Sequence, residues 1–311
     1  MFNTLTHRLT ARSVIGLDLG SSRLKAVEVE STGGRLMLRR CVLTPPGATD
    51  TASALAQLLR EARLPAAARV AVGLASPEVV VKALQFPPMP KKELAGAIQL
   101  EAEQAILNGH TMSEMVIDWH PLPARDATSL RGVLAVVPRT ILLDRLQPVR
   151  AAGLRPAVVD VEGLALWNAY WTLVGAREGA QQTVLLVNVG ERTTNLVIAK
   201  GPDELILMRD LALGAHALRE DSRRAEWAAE VRDSVSYARS QAGLRALDAV
   251  YATGGGSGPS LVPLLQTAAP APVTCWDPLQ QLARDAESPS VEEGAGPLLA
   301  IAIGLALRQP T

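Results

Sequence analysis

The sequence is poor in aromatic residues: Phe, Trp and Tyr make up 3% of 311 positions, too few for the stacking platforms on which single-stranded nucleic acids lie. Its formal net charge is zero, so no basic footprint for a nucleic-acid backbone is present. The two cysteines, Cys41 and Cys275, give neither metal-ligand spacing nor a disulfide framework. Their scarcity fits a reducing compartment, hence the cytoplasm. The four histidines are scattered and suggest no metal centre. The longest apolar run, PLLAIAIGLAL at 297–307, is shorter than the roughly 20 residues a bilayer demands. The basic amino terminus, MFNTLTHRLTARS, lacks the apolar core of a signal peptide. These absences leave a soluble globular chain, 48% hydrophobic and 20% charged, long enough for two domains or one two-lobed domain.

What is present begins with residues 14–30, VIGLDLGSSRLKAVEVE. Apolar alternation on both sides of Gly20-Ser21-Ser22 predicts two strands joined by a tight turn. Asp18 precedes the turn, and Arg23 and Lys25 follow it. Such a turn brings backbone N–H groups and hydroxyls close to an anion, and an acid beside it can hold a hydrated Mg²⁺. Taken alone, its plainer reading is a hairpin joint.

The pattern continues β-β-β-α-β, with a helix over 51–63 and a buried strand at 69–76. Residues 77–156 predict an inserted β-α-β-β-α subdomain, with helices over 91–106 and 139–154. A strand-to-helix unit follows at 157–175, then a second hairpin at 183–201, a strand from 204 and a helix over 225–244. The mixed-charge run 219–224 reads as a solvated helix face. A strand, glycine turn and helix start occupy 249–266, and a closing helix ends the chain.

The second hairpin repeats the design of the first: Asn188-Val189-Gly190-Glu191-Arg192-Thr193-Thr194-Asn195 sets a polar residue, a glycine and hydroxyls between apolar strands. Two such hairpins predict two related lobes whose turns face one cleft. Thr253-Gly254-Gly255-Gly256-Ser257 is a third turn, where glycine allows close backbone approach and a following helix start favours an anion.

In this order the pieces resemble the actin-like ATPase superfamily, with its phosphate-1, connect-1, phosphate-2, adenosine and connect-2 motifs at 18–25, 158–169, 186–196, 251–258 and 294–306. GLDLGSSRLKAVEVE, QLEAEQAI, VVDVEGLAL, EVRDSVSYARSQ and GPLLAIAIGLALR together look like the PilM family of type IV pilus assembly, itself similar to FtsA. The resemblance spans about residues 14–308. It implies an α/β, actin-like (ribonuclease H-like) two-lobed fold. Its first lobe would comprise 1–76 and 157–182, its inserted FtsA/PilM-type subdomain 77–156, and its second lobe 183–296. A closing helix at 297–311 would return to the first lobe.

The resemblance also implies ATP and Mg²⁺ as cofactors. Gly20, Ser21, Ser22 and Arg23 would hold phosphates, with Lys25 offsetting their charge and Asp18 holding Mg²⁺ through water. Gly190, Thr193 and Thr194 would bind phosphate from the other lobe, and Gly254, Gly255, Gly256 and Ser257 would pack on the adenosine. Glu162 would be the catalytic, water-orienting acid; a helix-start acid favoured by the dipole is the alternative. Two features depart from the pattern. Asn188 stands where the phosphate-2 turn usually has Asp, which weakens the case for hydrolysis more than for binding. The stretch 213–231 is short for the lid that covers the nucleotide.

The implied partner is the amino-terminal cytoplasmic peptide of PilN, which would place the chain at the inner membrane through its partners. Pilus motor ATPases and self-association are further implications. Two rival readings remain at this point: a degenerate actin-like adaptor without nucleotide, and a small-molecule kinase on the same fold.

Overall fold

The computed structural model describes residues 14–47, 51–65, 67–106, 109–123, 129–176 and 181–308. The first hairpin forms as its alternation predicts: β1 (Ile15–Leu19) and β2 (Leu24–Thr32) pair antiparallel, and β3 (Arg35–Leu43) extends the meander. After α1 (Thr51–Glu61), β4 (Arg69–Leu74) pairs parallel with β1. Much later in sequence, β8 (Arg155–Val161) pairs parallel with β4, giving the order β3-β2-β1-β4-β8.

The second lobe repeats this plan strand for strand. β9 (Thr183–Val189), β10 (Thr194–Lys200) and β11 (Glu204–Leu211) form an antiparallel meander. β12 (Ala249–Thr253) joins β9 in parallel and β13 (Val273–Cys275) joins β12, so the order is β11-β10-β9-β12-β13. The central strands are apolar on both faces because both are covered: β1 and β9 are buried at every residue. Two copies of one five-stranded plan are the two lobes of an actin-like fold.

Between the lobes lie α4 (Glu162–Tyr170) and α7 (Ala300–Ala306), all of whose α7 residues are buried. Trp167, Tyr170, Leu299 and Ile303 belong to the cluster they share with residues of both sheets. The closing helix packs on β1 and α4. A Cβ at Gly16 would fall 1.9 Å from the Ala302 carbonyl oxygen, so only glycine lets that helix sit so close to β1. A second cluster joins the other face of the second sheet to α5 (Asp221–Gln241) and α6 (Val262–Ala268) through Trp227, Val231 and Leu265. Between β11 and α5 lies a single 3-10 turn, Ala217–Arg219.

The insertion contains β5 (Val80–Phe86), α2 (Lys91–Ala105), β6 (Met115–Leu122) and β7 (Leu130–Pro138), with sheet order β5-β7-β6. Its own small cluster joins Ala102 and Ala105 to Leu134 and Val136. The next helix, α3 (Arg139–Ala151), falls inside the 77–156 span counted as inserted from the sequence. Its Leu146 and Val149 pack with Leu55, Leu58 and Val70 of the first lobe. An amphipathic pattern shows that a helix covers something apolar but not which sheet; here the chain has already turned back toward β8. We therefore end the inserted unit at Pro138. Among the described residues, no helix is long and apolar enough to cross a membrane.

Candidate functional site

The β1–β2 and β9–β10 turns occupy equivalent positions in the two lobes and face one cleft of about 970 Å³. Gly20, Ser21, Ser22 and Arg23 line one side, and Glu191 and Arg192 the other. His216, Arg219 and Arg223, from the segment after β11 and the start of α5, complete a mostly cationic wall. The run 219–224, read from sequence as a solvated face, thus supplies two cleft arginines. Its charge was visible in the sequence; its position opposite Ser21 was not.

Arg23 lines the cleft but is already engaged. Its Nε donates to the Thr44 carbonyl at 2.5 Å, and its two terminal nitrogens bind the Glu292 carboxylate. Glu292 ends a segment from the second lobe that crosses to the first. Ala283 of that segment exchanges backbone hydrogen bonds with Leu36 and Leu38, covering the β3 edge.

Behind the first turn is a buried charged cluster. Asp18 and Lys25 are directly opposite in the β1–β2 register, and Lys25 Nζ donates to Asp18 Oδ2 at 2.8 Å. Glu162, at the α4 start, is buried beside them, with Arg145 Nη2 3.8 Å from its Oε1. Burial, reinforced by the Asp18 charge and opposed by Arg145, pushes Glu162 up to about 7. Arg145 also donates to the Leu19 carbonyl at 2.8 Å, tying α3 to the strand end that leads into the turn. Sequence reading missed Arg145, because a lone arginine on a helix 126 residues away carries no signal of that contact.

At the second turn, Asn188 Nδ2 donates to Asn195 Oδ1 at 2.7 Å, and Asn195 Nδ2 donates to Asp210 Oδ1 at 2.8 Å. Asp210 Oδ2 accepts the Ser76 backbone N–H of the first lobe at 3.0 Å. Burial raises Asp210 to about 6, against the lowering effect of those two donors. The Gly190 N–H closes its turn on the Thr193 carbonyl at 2.9 Å. Thr194 is fully buried; its hydroxyl donates to the Leu213 carbonyl and accepts from Trp227 Nε1. That hydroxyl serves the fold and does not face the cleft.

The glycine turn after β12 lies apart from the cleft lining. Gly254 has φ +92°, and a Cβ there would lie 2.5 Å from the Val189 carbonyl oxygen. At Gly256 a Cβ would lie 2.5 Å from Val189 Cγ1, and at Gly255 3.1 Å from Leu298. The Ser257 hydroxyl donates back to the Gly254 carbonyl at 2.7 Å. Close packing against the chain itself accounts for the glycines at 254 and 256.

The arrangement fits a nucleotide in part. Two turns and several arginines around one cleft suit a phosphate chain. The metal position fits less well: Asp18 already holds an ammonium group. Among the described residues, no group of three or more His, Cys, Asp or Glu side chains is placed to hold a metal.

The family model described as type IV pilus assembly protein PilM matches residues 16–225. Among solved structures, the chain is similar to one from the PilM–PilN type IV pilus biogenesis complex. The two share 27% identity over 95% of this chain and 98% of that one, with a TM-score of 0.77. It shares its fold with the cytoplasmic domain of EpsL, an inner-membrane component of the Vibrio cholerae type II secretion system. There the identity is 12%, the coverage 95% of each chain and the TM-score 0.51.

Proposed function

The chain belongs to the PilM family of type IV pilus assembly proteins, and from that premise we propose that it is a scaffold for the amino-terminal cytoplasmic segment of PilN. The observation that carries this reading is the similarity, over nearly its whole length, to a chain solved in a PilM–PilN complex. In this reading the protein works in the cytoplasm and reaches the inner membrane through its partner. An extended segment with apolar anchors suits a groove beside the inserted sheet. Leu143 on α3 and Val159 on β8, the edge strand of the first-lobe sheet, are exposed at 49% and 37%, and they are the apolar anchoring points this reading uses. Titrating a fluorescent PilN amino-terminal peptide tests this. Saturable binding that Leu143→Asp weakens supports the reading; no binding to the folded chain removes it.

For the cleft, the proposed ligand is ATP with Mg²⁺, bound rather than hydrolysed. Gly20, Ser21, Ser22 and Arg192 would meet its phosphates, and Asp18 would reach the hydrated metal. Asn188 is an amide committed to Asn195, so that position offers no carboxylate base. A second reading, an adaptor with no nucleotide, is favoured by the Asp18–Lys25 pair and the self-filled glycine turn. Calorimetry with Mg²⁺–ATP separates the two, with Ser21→Glu as the control because Ser21 is exposed in the cleft. Heat that the control abolishes supports the nucleotide; no heat from either folded protein supports the plain adaptor.

A further inference from the structure

We propose that Asn188, Asn195 and Asp210 form an interlobe latch, a buried hydrogen-bond relay that fixes the second lobe to the Ser76 amide of the first. The three residues sit directly opposite one another across β9, β10 and β11: Asn195 is in register with Asn188 on one side and with Asp210 on the other. They form one cross-strand row on one face of the second sheet. All three are buried, and the row ends on a backbone N–H two residues beyond β4, in the other lobe.

The direction of the relay explains the amide at position 188. Asp210 accepts at both oxygens, from Asn195 Nδ2 and from the Ser76 N–H. Asn195 therefore turns its amide nitrogen toward Asp210 and its oxygen toward position 188. Only a donor at 188 satisfies that oxygen. A carboxylate there would force Asn195 to turn round and would set its oxygen against Asp210, acceptor to acceptor. Charge argues the same way. The Asp18 and Asp210 charges both act on Glu162 in this interlobe space, and Lys25 and Arg145 oppose them. A fourth carboxylate would be buried without a partner.

Asn188 is thus a positioning residue of the latch. The relay is one of the chain's own bonds between the lobes, beside the Ala283 pairing with Leu36 and Leu38, and it restrains the lobe angle whether or not the cleft is occupied.

The relay has a second self-consistent direction, which supplies the test. In the variant Asn188→Asp/Asp210→Asn, the new amide at 210 accepts from Ser76 through its oxygen and donates to Asn195 through its nitrogen. Asn195 then donates to the carboxylate at 188. Hydrogen exchange at the Ser76 amide reads the latch, with the mid-strand amides of Leu186 and Val197 as the reference for global opening. Asn188→Asp alone is expected to speed Ser76 exchange by about tenfold or more relative to those references, or to prevent folding. Adding Asp210→Asn is expected to restore both the fold and slow exchange. Exchange at Ser76 that stays near wild type in the single variant overturns the latch. So does a double variant that fails to fold or fails to recover protection. None of these readouts depends on PilN or on a nucleotide.

Discussion

Lys25 and Asp18 bond across the base of the first turn at 2.8 Å, with side chains only 11% and 6% exposed. The pair joins the two strands of the hairpin behind the surface that faces the cleft. It holds the turn in shape before any ligand arrives, and it makes Asp18 a structural residue as well as a candidate metal holder.

Loss of one member of this pair strands the other charge in the interior. Asp18→Ala is expected to cost about 3–5 kcal/mol of folding stability. Asp18→Asn/Lys25→Met, which removes both charges, is expected to cost much less. Urea denaturation of the three proteins checks this, and equal losses in the single and double variants would refute it. Asp18→Ala is accordingly a poor probe of metal binding.

The buried carboxyl of Glu162 makes stability depend on pH in an unusual sense. Its folded-state value, about 7, lies above the ordinary 4.5, so the folded protein binds a proton that the unfolded chain has released. The resulting stabilisation is complete below about pH 4.5 and is lost as pH rises through 7. Asp210, raised to about 6 from 3.8, acts in the same sense at lower pH. Glu162→Gln is expected to remove most of the fall in stability between about pH 5 and 7, on the order of 2–3 kcal/mol. Thermal melts across that range measure it; an unchanged slope in the variant would contradict the assignment.

Arg23 is shared between the fold and the cleft. Glu292→Gln weakens its bidentate grip and leaves the guanidinium freer to meet an anion. Affinity for inorganic tripolyphosphate is expected to rise by about threefold or more. Stability is expected to change by less than about 1 kcal/mol, because the Glu292 side chain is half-exposed. Calorimetry and denaturation of the same samples report both effects. An affinity unchanged by the substitution would show that Glu292 does not compete for Arg23.

The glycine turn separates packing from ligand contact. Gly254→Ala meets both a left-handed φ and the Val189 carbonyl, so it is expected to destabilise the ligand-free protein by about 2 kcal/mol or more. Gly258, where a Cβ meets nothing within 4 Å, is the control, with a much smaller loss expected for Gly258→Ala. A thermal melt without nucleotide decides. Equal tolerance at both positions would mean that the close approach at Gly254 is not a constraint.

Much of the architecture was legible because its signals are local. Period-two apolar runs broken by Gly-Ser or Gly-hydroxyl turns mark β1–β2 and β9–β10, and their similarity announced the repeated lobe. The allegiance of α3 was not legible, since its apolar face would suit either the inserted sheet or the first one. Nor was the use of Thr194, whose hydroxyl looks the same in sequence whether it faces a phosphate or the Trp227 indole.

The sequence by itself determined the elements, the duplicated hairpins and the residue types available at each turn, because strand alternation and turn chemistry act over a few neighbours. Only the tertiary structure decided what those residues do. Arg23 meets Glu292 across 269 positions and Asp210 meets Ser76 across 134. Whether a buried asparagine must donate or accept depends on what faces it, and here what faces it is fixed by strand register and by the docking of one lobe on the other.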